Sequence, residues 1–239
     1  MKITLLTGKT FDLEHAFNFP LKVVSSLRTK RLSLKIDTKK RIVVLSMPKF
    51  CTKHKAFDFV SSHRDWVEEH LLLLPKLEDF ENGTEFSLFG QNVKIVFKPD
   101  FGAPKLIGTD LFVGGQPEFI HRRVRDFIKK TAKAELTRLS KQKALQLGQQ
   151  LENVAVKEIK SRWGSCSSLA NINYNWRIAL APVFVIDYLV CHEVAHLKHH
   201  NHSQAFWQTV NALCPTAEEG NAWLKKNGMS LYKYRYNQR

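Results

Sequence analysis

The chain is poor in cysteine, in acidic residues and in long apolar runs, and each shortage excludes something. Its four cysteines, Cys51, Cys166, Cys191 and Cys214, are widely spaced and include no Cys-x-x-Cys pair. That spacing excludes a disulfide framework and a zinc ribbon. Cys191 lies in an apolar run and reads as a small core residue. No apolar stretch approaches the roughly 20 residues of a membrane-spanning helix. The first ten residues carry one early lysine and only a three-residue apolar core, too little for a signal peptide. A cytoplasmic protein that does not enter a membrane is therefore expected. Aspartate and glutamate number 22 against 37 lysine and arginine, a net charge of +15. Such an excess draws polyanions by long-range attraction and counterion release. A nucleic-acid contact or a nucleoside triphosphate would suit it. So would lysines and arginines that merely solubilise the surface, since no basic-aromatic binding module is recognisable.

What the chain does have is a dense run of histidine. Residues 191–203 read Cys-His-Glu-Val-Ala-His-Leu-Lys-His-His-Asn-His-Ser, which contains His-Glu-x-x-His. On a helix, His192 and His196 lie one turn apart on one face, so both imidazoles can reach one Zn²⁺. Glu193, one position round, is free to serve as general base for a metal-bound water. The preceding residues 182–194 are almost continuously apolar, as in a helix buried on most faces, and Pro182 suits its first turn. Burying two histidines and a glutamate without partners would be costly, and a metal removes that cost.

The third ligand requires a turn in the chain. Were the helix to continue, His199 would lie about 10 Å along the axis from His192. One zinc with bonds near 2 Å cannot span that. Asn201 tolerates the left-handed conformation that ends helices, and Ser203 suits the N-cap of a second helix over residues 204–213. His202 then falls in the turn and is free to fold back. It is favoured over His199 and His200, which read as a solvated basic helix end. Three protein ligands plus water is the catalytic form of a zinc site, whereas four closed ligands would be structural.

Several further stretches join this motif: Ser161-Arg-Trp-Gly-Ser-Cys-Ser-Ser168, Asn173-Tyr-Asn-Trp-Arg-Ile-Ala-Leu180 and His202-Ser-Gln-Ala-Phe-Trp207. Together they resemble the YgjP-like metal-dependent hydrolases, a family grouped with SprT-like and other zincin metallopeptidases. The N-terminal half is similar too, at Arg28 and Arg31, Met47-Pro48, Arg64-Asp-Trp66, and Gly83 to Gly90. The resemblance implies Zn²⁺ held by His192, His196 and His202, with Glu193 as general base. It implies a zinc-dependent hydrolase, first of all a metallopeptidase acting on a peptide or protein. Two alternatives come with it: a metal-dependent nucleoside triphosphate (UTP) pyrophosphatase, and a nucleic-acid-associated SprT-like protease or binding protein. Zincin proteases hold extended substrate along an edge strand beside the metal helix. By that resemblance Arg162, Trp163, Gly164 and Ser165 form a candidate cleft wall. Trp163 as a core aromatic and Arg162 as a surface charge suit the sequence equally well.

The pattern of the whole chain reads as α+β. Residues 21–27, 31–37 and 41–47 suggest an antiparallel meander, and residues 52–74 a helix stopped by Pro75. Strands over 86–89 and 93–97 flank Gly90-Gln-Asn92 as a hairpin turn, and 111–113 a further short strand. A long amphipathic helix runs from Pro117 to Gly148, and strands follow over 154–163 and 172–178. Thr216 with Glu219 reads as a capping box. The tail Tyr232-Lys-Tyr-Arg-Tyr236 either packs on the surface or offers a tyrosine to the site. The expected organisation is a small N-terminal antiparallel β-rich module over residues 1–115. A zincin-like catalytic domain follows over 116–239, its active-site helix packed on a short sheet.

Overall fold

Alternating apolar residues between basic turns make the first part of the chain a small sheet, and which strand is most apolar decides its order. A computed structural model describes residues 2–4, 10–37, 40–159 and 162–236. Lys39, Ser161 and most of the first ten residues lie outside that description. The protein is α+β and divides into two compact units, Met1–Lys76 and Leu77–Arg239.

In the first unit β1 (Lys2–Thr4) pairs antiparallel with β2 (Thr10–Asp12). Strands β3 (Leu21–Ser26), β4 (Ser33–Asp37) and β5 (Ile42–Pro48) form a separate sheet. The meander expected here is in fact a mixed sheet of order β3-β5-β4, with β3 parallel and β4 antiparallel to β5. Strand β5 buries Val43, Leu45 and Met47 on alternate positions, so it takes the middle. The flanking strands expose Lys22 and Lys35. A single helix over 52–74 is instead two, α1 (Lys53–Ser62) and α2 (Arg64–Leu72). They break at His63, whose Nδ1 donates to the Phe59 carbonyl at 2.8 Å. Thr52 caps α1 by accepting from Lys55 N.

The second unit opens on β6 (Glu85–Leu88), β7 (Gln91–Phe97), β8 (Lys105–Ile107) and β9 (Asp110–Val113). The hairpin between β6 and β7 turns at Phe89 and Gly90, with φ of 50° and 80°, where both central residues need the left-handed region. Helix α3 (Ile120–Gln146) follows a 3-10 turn that begins at Pro117. Next come β10 (Asn153–Lys157), β11 (Gly164–Cys166) and β12 (Asn171–Asn175), in the order β10-β12-β11. Strand β12 is parallel to β10 and antiparallel to β11. A 3-10 turn over Trp176–Leu180 leads to α4 (Val183–Ala195), α5 (Gln204–Leu213) and α6 (Ala217–Asn227).

One core joins these elements. Val124, Ile128 and Leu136 of α3 share it with Ile95 and Leu111, with Ile172 and Tyr174, and with Val190 of α4. That shared burial places strands β6 to β9 in the second unit, so the boundary expected near residue 115 falls inside it. Helix α6 can lie close on α4 because a Cβ at Gly220 would collide with Tyr188. The Thr216 capping box does not form: the Thr216 side chain makes no cap bond, and its Oγ1 lies 3.5 Å from Cys214 Sγ. Among the described residues no helix is long and apolar enough to cross a membrane.

Candidate active site

Helix α4 is apolar on most of its faces, so it runs through the core and can carry polar groups only where something receives them. Glu193 is 4% exposed, and His192 and His196 are half-buried at the helix end. His196 is the C-cap of α4, and the amides of Leu197, Lys198 and His199 bond back to the carbonyls of Val194 and Ala195. The reversal is not made by a left-handed asparagine, since Asn201 has no positive φ. Asn201 Oδ1 instead accepts from Ser203 N, and Ser203 Oγ accepts from Phe206 N as the N-cap of α5.

That turn brings His202 back over the helix. Its ring centroid lies 5.1 Å from that of His192 and 4.8 Å from that of His196. One ring nitrogen from each of the three lies within 4.8 Å of the others, and His192 Nε2 is 3.2 Å from His202 Nε2. A tetrahedral zinc with Zn–N bonds near 2.0–2.1 Å sets its nitrogens about 3.3 Å apart, the separation of the His192–His202 pair, and the three rings together could hold a metal ion. His196 Nδ1 donates to the His199 carbonyl at 2.9 Å, which leaves its Nε2 lone pair free for a metal. Phe206 packs its ring against all three imidazoles. His199 Nε2 is occupied elsewhere, 3.1 Å from Thr209 Oγ1, and His200 is exposed at the cavity rim.

Burial governs the electrostatics. It pushes His192 down to about 4, aided by the neighbouring His196 and His202, and it lowers His196 too. Both rings are thus held neutral, the form a metal requires. Burial pushes Glu193 up to about 8, with Arg162 pulling the other way. Its Oε2 has no hydrogen-bond partner among the described residues. A cation at the histidines would draw that carboxyl back down.

Gly164 of β11 is what lets the carboxylate sit where it does. A Cβ there would collide with Glu193 Oε1. Gly164→Ala should therefore push the carboxylate aside. Any hydrolysis that depends on it should fall about a hundredfold, as misplacement by an ångström commonly costs. Metal content and melting should stay near wild type. Unchanged activity would show that Glu193 does not need this position.

Of the expected wall residues, Arg162, Gly164 and Ser165 line a cavity of about 280 Å³ together with the three histidines and Glu193. Trp163 does not face it. Its ring turns toward Tyr232, 5.3 Å away, and lines a second cavity of about 320 Å³ that also includes Glu193. Lys225 and Leu224 of α6 also line that second cavity and carried no signal in the sequence. Burial pushes the Cys166 thiol up to about 11, with Glu193 adding to it, so this cysteine is a poor nucleophile. A second cluster of ligand type, Asp187, Cys191 and Cys214, already holds an ammonium. Lys143 Nζ is 2.9 Å from Asp187 and donates to the Leu213 carbonyl.

Comparison with known proteins adds a family to this geometry. Residues 30–227 match a family model described as YgjP-like, metallopeptidase domain. No curated protein matches the chain. Among solved structures, the crystal structure of the metallopeptidase zymogen of Pyrococcus abyssi abylysin is similar at 24% identity and a TM-score of 0.35. That alignment covers 38% of this chain and 93% of the other.

Proposed function

The chain belongs to the YgjP-like family of metallopeptidase domains, and from that premise we propose that it is a zinc peptidase with Glu193 as general base. His192, His196 and His202 would hold the ion. The proposal is supported above all by one juxtaposition. Three imidazole nitrogens converge beside a buried carboxylate whose Oε2 has no hydrogen-bond partner among the described residues.

Zinc, when bound, would lower the pKa of water toward ~7 and polarise the substrate carbonyl. Glu193 takes the proton from the attacking water and delivers it to the departing amine nitrogen. Burial alone raises its pKa, and a cation at the histidines would draw it back down, so that it can accept that proton. Among the described strands β11 pairs only with β12, so its other edge is open. An extended peptide can add to such an edge through backbone hydrogen bonds, which gives sequence-tolerant binding beside the site.

Incubating the protein with an unfolded protein substrate and following cleavage by mass spectrometry tests this. Cleavage should stop when a chelator removes the metal and return when Zn²⁺ is added back. Intact substrate in the presence of zinc-loaded protein would overturn the proposal.

A further inference from the structure

The two cavities share Arg162, Gly164, His192 and Glu193, so they are two lobes of one cleft that meet at the carboxylate. A peptide bond held within reach of Glu193 in the first lobe leaves a flanking side chain at the mouth of the second. That second lobe is about 320 Å³ and has a mixed wall. Leu189 of α4, Leu224 of α6 and Trp163 supply apolar surface, and Asn221 a polar group. Trp163 is fixed there, because its ring meets Tyr232 on one side and would touch a Cβ at Gly228 at 3.3 Å.

The charges are one-sided. Arg162 and Lys225 both line the lobe and both are exposed. Among the described residues neither has an acidic partner within 4 Å. Glu193 is the one carboxylate among the described lining residues, and the mechanism already uses it. An aliphatic stem can lie on Leu189 and Leu224 while a terminal carboxylate meets the two cations. A lysine or arginine in the same place would be repelled by them and find no counter-charge.

We propose that the lobe between β11 and α6 is a specificity subsite for an acidic side chain flanking the scissile bond, with Lys225 its discriminating residue. This rests on the peptidase reading above. Arg162 attracts Glu193 as well as substrate, so Lys225 is the cleaner probe.

The test uses the zinc-loaded full chain and a synthetic peptide library in which every residue type occurs at every position. Cleavage sites are read by mass spectrometry. At one position beside the cut, Asp and Glu should be enriched over Lys and Arg by about tenfold, the size expected of a partly solvated charge contact. In Lys225→Glu that ratio, measured within the variant, should fall to unity or invert. Cleavage with no acidic preference, or with a preference untouched by Lys225→Glu, would overturn the subsite while leaving the peptidase intact. No cleavage of any peptide would overturn both.

Discussion

Glu193→Gln should slow peptide hydrolysis by a factor on the order of 10²–10⁴, the range lost when a positioned general base is removed. The substitution keeps the shape of the side chain under the Gly164 backbone and takes away only its ability to accept a proton. Folding should not suffer. Burial pushes the native carboxyl up to about 8, so its charged form is disfavoured where it sits. A neutral amide of the same shape adds no buried charge, and the melting temperature should stay near wild type. Metal content should hold too, because the three imidazoles are untouched. Wild-type activity in this variant would defeat Glu193 as the base whatever the metal does.

Arg177→Met should destabilise the second unit by about 3–5 kcal/mol, as removing one partner of a buried ion pair does. Arg177 is 2% exposed and sits between the rings of Trp176 and Tyr232. Its Nη1 donates to Glu158 at 2.6 Å, and its Nη2 to the Tyr234 carbonyl at 3.1 Å. Trp176 Nε1 donates to the same carboxylate at 2.6 Å. Deleting the guanidinium strands a carboxylate whose side chain is 11% exposed and releases the tail that carries Tyr232. Because Tyr232 packs on Trp163, the cleft should loosen with it. Pairing Arg177→Met with Glu158→Met should recover part of the loss, since both buried charges go while Trp176 Nε1 and the Tyr234 carbonyl lose their partners. Urea unfolding of the single and double variants measures this. A single-variant cost below about 1 kcal/mol would show that the pair contributes no more than a surface bridge.

What was legible in the sequence follows a physical line. The His192–His196 spacing speaks through helix geometry alone, and Ser203 announces the start of α5, so the return of His202 could be read from the chain. Local signals of this kind survive folding. Pairing between distant segments does not announce itself. Alternation shows which face of β3, β4 and β5 is buried but not that β5 lies between the others. The closeness of Gly164 to Glu193 joins segments 29 positions apart, and nothing local to either marks it. Lys225 looks like an ordinary basic residue in the last turn of α6, where it also suits the helix dipole. Only the packing of α6 on α4 turns it toward the cleft. The tail tyrosines read as surface groups or as donors to the site, yet Tyr232 and Tyr234 are buried. Tyr232 Oη accepts from Asn175 Nδ2, 57 positions away.

Metal content of the purified protein tests the central claim most directly, with wild type measured beside His202→Ala and His199→Ala. Wild type and His199→Ala should each carry about one zinc per chain, because His199 Nε2 is engaged with Thr209 and stands outside the ligand set. His202→Ala should lose most of it, since two imidazoles alone do not complete the site. A full equivalent retained in His202→Ala, or none in wild type after zinc is supplied, would contradict the account.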